Sequence, residues 1–316
     1  MLPTYNRAHL LPHAIRSVLA QTYRNIELIV IDDDSKDDTA QVVAAFADPR
    51  IRYFRNPENL RLPRGLNKGF SRSRGSYLTW TSDDNLYAEE AIARMVAVLE
   101  SGTCDFVFAN YFHFSDLEEA TGKPLNFQPV SLPAVPRLEK GNSVGACFLY
   151  NRRVYETIGE YDPELFLVED YDYFIRIAQR FRIGHIDEPL YFFRRHDEAL
   201  FCSRYAEVKA ADVLVRYKNG LLDKDAATTA CADLIMRDLD GLRNGLLRSA
   251  YSALGKLSFR LTNIYRDFLR VYVMWRLRGG VLKVLERFGS NVITFRQAKD
   301  ALRDVLQGIG RVEYKG

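Results

Sequence analysis

Two kinds of apolar run alternate over roughly the first two hundred residues. Short runs rich in β-branched and aromatic residues are typical of buried strands, whereas apolar residues repeated every three or four positions are typical of helices. The strand-like runs are residues 26–31, 51–54, 77–81, 105–111, 146–150, 183–186 and 190–193. The helix-like runs are residues 39–46, 65–73, 88–99 and 170–181. The alternation predicts βαβ units, and hence an α/β fold with a mainly parallel sheet flanked by helices.

Both ends of the chain depart from this alternation. Behind Met1 the residues are loop-like as far as Arg7, and a helical apolar pattern begins at Leu10. The first strand of the sheet therefore looks truncated, and we expect translation to start further upstream. From about residue 205 the pattern is helical to the end of the chain. We predict two units, an α/β domain over residues 1–204 and a helical region over residues 205–316.

Composition and charge exclude several classes of protein. With 47% hydrophobic and 27% charged residues, the chain has the composition of a folded soluble protein. Its net charge of +3 is too small to indicate nucleic-acid binding. The four cysteines form no Cys-x-x-Cys pair, so reduced thiols are expected. Because no apolar stretch is long enough for a membrane span or a signal peptide, we expect a cytoplasmic protein.

The strand-like run at residues 77–81 leads into two adjacent carboxylates, Asp83 and Asp84. In an open α/β sheet, ligands bind beyond the carboxyl ends of the strands. Like charges repel one another unless a cation lies between them, and hard oxygen ligands suit Mg²⁺ or Mn²⁺. One interpretation is therefore a metal-bridged diphosphate site. The other is a solvated turn that caps the helix behind it.

Four short segments, in this order, resemble the nucleotide-sugar-dependent glycosyltransferases of family 2, which have the Rossmann-like GT-A fold. They are Pro3-Thr4-Tyr5-Asn6-Arg7, Ile31-Asp32-Asp33-Asp34-Ser35, Ser82-Asp83-Asp84-Asn85 and Glu169-Asp170. The resemblance covers roughly residues 1–200, which makes residues 1–204 a GT-A catalytic domain. It implies transfer of one sugar from a nucleoside diphosphate donor to a hydroxyl acceptor, with inversion of configuration. Ser82-Asp83-Asp84 replaces the commoner Asp-x-Asp, so only its last two positions are acidic.

The first three segments would bind the donor nucleotide. By resemblance Asp33 accepts a hydrogen bond from a base N–H, which favours uracil, thymine or guanine and hence a UDP, dTDP or GDP donor. The Tyr5 ring could stack on the base, and guanidinium groups at positions 61 and 64 could meet the diphosphate in bidentate fashion. The alternatives are an ordinary strand-to-helix turn and a solvated basic helix face. The predicted nucleotide-binding residues are Pro3, Thr4, Tyr5, Arg7, Asp33, Arg61, Arg64 and Asp83.

The resemblance makes Asp84 the direct ligand of a Mn²⁺ or Mg²⁺ ion, while Asp83 contacts the ribose or the metal's waters. The metal would offset the charge that develops on the leaving phosphate. Asn85 would cap the next helix or line the pocket. His196 lies where some relatives have a metal-contacting histidine, but Asp-Glu-Ala follows it in place of their Pro-Gly-Ser. A surface histidine beside two solvated arginines is the alternative for His196.

Asp170 follows Glu169 at the start of a predicted helix, where the helix dipole favours an ionised carboxyl group. The resemblance makes Asp170 the general base that takes a proton from the acceptor hydroxyl. An ordinary N-cap is the alternative. Residues 141–146 resemble the wall beside the donor sugar and the acceptor. The proline-punctuated loop before them is long enough to act as a flap.

Basic and apolar side chains, including Trp275, form an amphipathic pattern around residues 266–287. Such a segment can lie on an anionic membrane surface, which would bring the enzyme to the inner face of the cell membrane and to a lipid-linked acceptor. The alternative is helix packing, either on the catalytic domain or on a second subunit in a homo-oligomer.

Taken together, these features predict an inverting, metal-dependent hexosyltransferase of surface polysaccharide or glycolipid biosynthesis, acting on a glycan or lipid-linked acceptor. A processive synthase would carry membrane spans and a Gln-x-x-Arg-Trp signature, which residues 179–182 do not supply. A dinucleotide-dependent oxidoreductase needs Gly-x-Gly-x-x-Gly, which the chain lacks after its first strand. The remaining alternative is a non-catalytic glycosyltransferase-like subunit that binds nucleotide or acts as a scaffold. The presence of Asp84 and Asp170 argues against it.

Overall fold

The computed structural model describes residues 1–119, 121–196, 199–234 and 259–308, without the side chains of residues 259–272 and 276. The chain divides into two compact units, Met1–His196 and Asp197–Gly316. The boundary that we predicted from the onset of helical pattern, after residue 204, lies slightly later in the chain.

A three-stranded parallel sheet opens the first unit, in the order β1-β2-β3. Every residue of its central strand is buried, as expected where helices cover both faces of a parallel sheet. Its strands are β1 (Leu2–Thr4), β2 (Leu28–Asp32) and β3 (Ile51–Arg55). The helices that follow these strands are α1 (Leu11–Leu19), α2 (Thr39–Ala44) and α3 (Arg61–Ser71). This half of the unit has the predicted βαβ organisation.

The second sheet has mixed strand directions. Its order is β4-β10-β6-β11-β5, with β9 added beside β6, and within it only β6 and β11 pair in parallel. Its strands are β4 (Tyr77–Leu78), β5 (Leu86–Tyr87), β6 (Phe106–Phe114), β9 (Gln128–Val130), β10 (Phe148–Asn151) and β11 (Ile183–Arg194). The prediction of a mainly parallel sheet therefore describes the first sheet and not the second. Buried apolar runs carry no sign of strand direction, because both pairing modes can bury both faces.

The remaining elements connect these strands. A two-stranded hairpin, β7 (Asp116–Leu117) and β8 (Pro124–Leu125), lies in the proline-punctuated loop. Helix α4 (Ala91–Glu100) follows β5, and helix α5 (Arg152–Ile158) follows β10. A loop connects α5 to helix α6 (Glu169–Ala178). We did not predict α5. The two runs at residues 183–186 and 190–193 form the single strand β11, whose register shifts on either side of Pro189.

Strand β1 joins the two sheets although it is only three residues long. The ammonium group of Met1 donates to the carbonyl of Thr79 at 3.0 Å, and Thr81 N–H donates to the Met1 carbonyl at 3.0 Å. In front of Met1, a cavity of about 760 Å³ separates the start of β2 from residues 75–79. Burial lowers the pKa of the Met1 amino group to about 5. The first strand thus has three residues, and Met1 in front of it lines this cavity.

The second unit is helical wherever it is described. Its helices are Leu200–Ser203, Tyr205–Lys218, residues 224–234, Phe259–Gly289 and Phe295–Gln307. The last helix contacts both Tyr205–Lys218 and Phe259–Gly289. A capping box fixes its start, because Thr294 accepts from Gln297 N–H while the Gln297 side chain accepts from Thr294 N–H.

The amphipathic pattern at residues 266–287 lies partly outside the described side chains. Within the described part, a stripe at every fourth position is buried: Val273, Leu277, Val281 and Leu285. Trp275, on another face of the helix, is 71% exposed. Among the helices that the structure describes, none is both long enough and apolar enough to cross a membrane. The buried stripe fits the packing alternative for this helix, and membrane contact stays a prediction.

Candidate functional site

The acidic pair lies where the first strand meets the second sheet. Strand β4 ends at Leu78, earlier than predicted, and Asp83 and Asp84 form a turn before β5. The loop after β1 lies against this turn, because the Thr4 hydroxyl donates to Asp83 Oδ2 at 2.8 Å. Asp83 is only 6% exposed. The solvated turn that we weighed as an alternative is therefore excluded for Asp83.

Two predicted site residues, Arg7 and His196, converge on this pair. Arg7 Nη1 lies 2.5 Å from Asp84 Oδ2 and 3.3 Å from Asp83 Oδ1. His196 Nε2 lies 3.2 Å from the same Asp84 oxygen. The structure thus brings together five of the predicted site residues, from three distant parts of the sequence.

Asn85 explains how His196 reaches the acidic turn. The Asn85 side chain is buried and accepts a hydrogen bond from Arg194 N–H at 2.8 Å, at the end of β11. It therefore does not cap α4, whose N-cap is Glu90, and the capping alternative is wrong. By fixing Arg194, it holds the chain two residues before His196.

The two carboxyl groups differ in their readiness to ionise. Burial, together with the charge of Asp84, raises the pKa of Asp83 to about 6. Burial also opposes ionisation of Asp84, but the hydrogen bond to His196 and the charge of Arg7 outweigh it and hold the Asp84 pKa below its usual range. Asp84 is therefore an ionised carboxylate at neutral pH and is the better cation ligand of the two.

The chemistry of these side chains fits a divalent cation that is shared with a substrate. Among the residues that the structure describes, no three His, Cys, Asp or Glu side chains are grouped as metal ligands. Asp84 and His196 supply one oxygen and one nitrogen. Mg²⁺ and related ions commonly take only one or two carboxylates from a protein, and fill their shell with water and phosphate oxygens. The pair fits such an ion, provided that Arg7 vacates the Asp84 oxygen.

Asp33, directly after β2, organises the loop between β3 and α3. Its Oδ1 accepts from Asn56 Nδ2 at 2.7 Å and from Leu60 N–H at 2.8 Å, and its Oδ2 accepts from Arg61 N–H at 2.9 Å. Lys68 donates to Asn56 and so supports this arrangement. A carboxylate has about four acceptor positions. One remains for a donor such as a base N–H.

The loop after β1 is fixed to the loop after β2. Asn6, with a φ of 53°, turns the chain. Its N–H donates to Ser35 Oγ at 2.9 Å, and its side-chain oxygen accepts from Lys36 N–H at 2.7 Å. Tyr5 is 45% exposed between these anchors, whereas Pro3 pairs with Ile31 inside the sheet. The Tyr5 ring is therefore accessible to a ligand beside Asp33, while Pro3 only shapes the strand.

Arg61 and Arg64 lie apart from the acidic turn. The Arg61 guanidinium is 5.8 Å from the centre of the Phe166 ring, and Arg64 Nη2 is 3.7 Å from Glu164. Both contacts go to the loop that precedes α6. Arg61 and Leu167 have φ values of 65° and 88°, which side chains other than glycine rarely adopt. The start of α3 thus contacts the loop that leads into α6, and the first turn of α6 contains Asp170.

Asp170 lies in the first turn of α6. Asn142 donates to Asp170 Oδ2 at 3.0 Å, and Tyr171 N–H donates to Oδ1 at 2.7 Å. Burial nevertheless raises the Asp170 pKa to about 6. Burial, followed by the charge of Asp170, also raises the pKa of Glu169. We expected the helix dipole to favour the ionised form, but the cost of desolvation is the larger effect.

Sequence reasoning missed three buried aromatic side chains of the first unit. Trp80 Nε1 and the hydroxyls of Tyr150 and Tyr161 are buried and make no hydrogen bond among the described residues. Burial raises the Tyr161 pKa well above its usual value, and the charge of Asp170 adds to this. The only signal in the sequence was the position of Trp80, three residues before Asp83.

Comparison with known proteins finds one matching family and several relatives. The family model described as glycosyl transferase family 2 matches residues 1–159, just over half of the 316-residue chain. A Rickettsia conorii protein named "Uncharacterized glycosyltransferase RC0461" is 31% identical over 204 residues, which cover 60% of this chain and 32% of the relative. The Escherichia coli UDP-Glc:alpha-D-GlcNAc-diphosphoundecaprenol beta-1,3-glucosyltransferase WfgD is 30% identical over 111 residues, covering 35% of this chain and 44% of that enzyme.

Solved structures share the fold. TarS 1-349 of S. aureus, in complex with UDP, aligns over 98% of this chain and 88% of its own with a TM-score of 0.55 at 15% identity. The mannosyltransferase PcManGT of Pyrobaculum calidifontis, with GDP-Man and Mn²⁺, covers 86% of this chain and 84% of its own with a TM-score of 0.54 at 16% identity. These likenesses confirm the predicted α/β class with a helical C-terminal region.

The extent of the sequence matches is limited. The chain spans about a third of the length of the first curated relatives that it matches. The family model, in contrast, covers Arg7, Asp33, Asp83 and Asp84 in a single continuous match. On that match, the chain belongs to glycosyl transferase family 2.

Proposed function

We propose that the chain transfers one hexose from a nucleoside diphosphate sugar to a hydroxyl acceptor, in a metal-dependent displacement that inverts the anomeric carbon. The observation that carries the proposal is the convergence of Thr4, Arg7 and His196 on the acidic pair Asp83-Asp84, with Asp170 outside this cluster in the first turn of α6. The first group suits a diphosphate and its cation, and the second suits a proton acceptor.

Donor binding would use the loops after β1 and β2. Asp33 would accept the base N–H with its remaining acceptor position, and the exposed Tyr5 ring would stack on the base. Asp84 and His196 would hold Mn²⁺ or Mg²⁺, which when bound offsets the charge on the leaving diphosphate. The structural neighbours support this donor class, because one is a complex with UDP and another is a complex with GDP-Man and Mn²⁺.

The transfer itself would need one proton acceptor. Asp170 would take the proton of the acceptor hydroxyl as its oxygen forms a bond to the anomeric carbon, while the bond from that carbon to the diphosphate breaks. Asn142 would hold Asp170 in place. A pKa of about 6 suits a base that is ionised at neutral pH but still takes up a proton readily. No covalent link to the protein is required.

The acceptor is proposed by analogy. The name of the E. coli relative describes transfer to a sugar linked to diphosphoundecaprenol. We therefore propose a glycan or lipid-linked acceptor in surface polysaccharide or glycolipid biosynthesis. Peripheral contact of the residue 266–287 region with the membrane would bring such an acceptor to the site.

The test is calorimetric titration with UDP, dTDP, GDP and CDP, each with and without Mn²⁺. We expect one nucleotide to bind in a metal-dependent manner. Asp84→Ala should weaken that binding by more than about 100-fold, since even outer-shell partners of a metal contribute roughly 10- to 100-fold. Asp300→Ala, which breaks a surface pair in the second unit, is the control and should change nothing.

Two outcomes would count against the proposal. If none of the four nucleotides binds, with or without Mn²⁺, the donor site is wrong. If one binds as expected but no sugar donor of that nucleotide is consumed with any acceptor preparation, the chain is the nucleotide-binding, non-catalytic subunit that the sequence left as an alternative.

A further inference from the structure

Arg7 occupies the position that the proposed function gives to a metal ion. Its Nη1 is 2.5 Å from Asp84 Oδ2 and 3.3 Å from Asp83 Oδ1, so a single nitrogen bridges both carboxylates. His196 Nε2 contacts the same Asp84 oxygen at 3.2 Å. The oxygen best suited to bind a divalent cation is therefore already shared by two other groups.

A metal ion and this guanidinium cannot both occupy that oxygen. Two positive charges a few ångströms apart repel strongly in a partly buried site. Conversely, removing Arg7 with nothing in its place would leave two adjacent carboxylates without a cation, which is costly when they are buried. The site therefore needs one cation at a time, either Arg7 or a metal.

The backbone around Arg7 allows its side chain to move alone. Asn6 is anchored to Ser35 and Lys36, so the loop itself is held in place. The Arg7 side chain is 28% exposed, whereas the Asp83 and Asp84 side chains are 8% and 12% exposed. The guanidinium is thus more exposed to solvent than the two carboxylates that it bridges. Its planar donor fork matches phosphate oxygens.

We propose, on the basis of the proposed function, that Arg7 is an internal cation that is exchanged for the metal. Without donor, it neutralises Asp83 and Asp84 and excludes the metal. When a nucleoside diphosphate arrives with its metal ion, the metal takes the Asp84 oxygen and Arg7 turns to the diphosphate. Metal and nucleotide consequently bind cooperatively, and the metal binds weakly alone.

If this exchange occurs, Arg7→Gln should raise the affinity for the metal ion alone and lower the affinity for the nucleotide. The substitution removes the competing charge but keeps a polar side chain of similar length. Mn²⁺ alone, measured by the electron paramagnetic resonance signal of the free ion, should bind at least tenfold more tightly. In saturating Mn²⁺, the nucleotide identified among UDP, dTDP, GDP and CDP should bind about tenfold more weakly. Arg94→Gln, which removes an arginine from a surface pair with Glu188, should change neither value.

Equal or weaker binding of Mn²⁺ alone by Arg7→Gln would overturn the inference and make Arg7 a structural clamp. That result differs from failure of the proposed function, in which wild-type protein shows no metal-dependent binding of any of the four nucleotides. If Arg7→Gln does not fold, Arg7→Lys serves instead, because a compact ammonium bridges the two carboxylates less well. A rise of about threefold in Mn²⁺ affinity would then support the exchange, and no rise would overturn it.

Discussion

Burial determines the protonation of Asp170 more than its place at the start of a helix. The residue accepts hydrogen bonds from Asn142 and Tyr171, and both favour the ionised form, yet its pKa lies at about 6. Below that value the carboxyl group carries a proton and cannot accept another. An enzyme that uses Asp170 as its base should therefore lose activity as the pH falls through about 6.

The pH dependence of transfer tests which carboxyl group is responsible. We expect kcat/KM to fall about tenfold per pH unit below the Asp170 pKa. Asn142→Ala removes a hydrogen bond that lowers this pKa, so the acidic limb should move to higher pH. Asp83 also has a pKa of about 6, but Asn142 does not contact it. If the fall of kcat/KM at low pH occurs at the same pH in Asn142→Ala as in the wild type, the assignment to Asp170 is contradicted.

Asp170→Asn separates binding from chemistry. The amide has the shape of the carboxyl group but cannot take a proton, so we expect a loss of transfer of about 10²- to 10⁴-fold. Donor affinity, measured by the same calorimetric titration, should change less than about threefold because Asp170 does not contact the acidic turn in the structure. Normal turnover in this variant would show that another group is the base.

At the scale of residues, the sequence predicted which side chains belong to the site better than it predicted which of them contact one another. Thr4, Arg7, Asp83, Asp84 and His196 do come together. Thr4 and Arg7 meet the acidic turn at the end of β1, and His196 follows β11, which runs antiparallel to β5 directly after that turn. No sequence pattern indicated that Arg7 would pair with the acidic residues, or that Arg61 and Arg64 would contact Phe166 and Glu164. Side-chain pairing of this kind depends on loop conformations that no local pattern encodes.

At the scale of elements, β1 is a strand of only three residues that pairs with β2. A cavity of about 760 Å³ lies beside Met1 and is bounded by Leu28 and Leu78 among others. The amino group of Met1 ends the strand inside the protein, where burial lowers its pKa to about 5. In the unfolded chain this group has its ordinary value near 8, so the unfolded state binds more protons between pH 5 and 8. Stability from this group is present at pH 8 and is lost as the pH falls towards 5.

An apolar extension should complete the strand. We expect four added residues rich in valine and isoleucine, placed before Met1, to fill the cavity and raise the free energy of unfolding. The gain should be about 1.5–3 kcal/mol for each side chain that becomes buried. It should also remove the loss of stability between pH 8 and 5, because the amino group is replaced by an amide. Denaturant titration of the extended and original chains measures both effects.

A Gly-Ser extension of the same length is the matched control. It converts the amino group to an amide as well, but it offers no apolar side chains to the cavity. We expect it to remove the pH effect with little gain in stability at pH 8. An apolar extension that stabilises no better than Gly-Ser would show that the cavity does not accept a strand.

At the scale of the whole molecule, the chain divides into two compact units, so we expect a substitution in the second unit to leave donor binding by the first unit unchanged. Lys299 in the second unit is 6% exposed and pairs with Glu207 at 2.6 Å, and Glu207 also binds Arg204. Burial raises the Glu207 pKa, but the hydrogen bond and charge of Lys299 reverse that effect and leave the pKa below its usual range. The pair is thus a strong internal contact of this unit.

Lys299→Met should destabilise the second unit without changing donor binding. Because Glu207 keeps Arg204, we expect a loss of about 1–3 kcal/mol, less than for a buried charge left with no partner. Lys283→Met, at an exposed position, should cost less than about 0.5 kcal/mol. Calorimetric unfolding and nucleotide titration measure the two properties separately. Loss of nucleotide binding in a folded Lys299→Met protein would show that the units are coupled.

The sequence by itself determined the class of fold, most of the strand and helix positions in the first unit, and the residues that form the acidic turn. It did so because buried strands and amphipathic helices have distinct apolar periods, and because motif residues follow strand ends. Tertiary structure decided the mixed directions of the second sheet, the pairing of Arg7 with Asp83 and Asp84, and the raised pKa of Asp170. These depend on which distant segments meet and on how much water they exclude, and neither is a property of neighbouring residues.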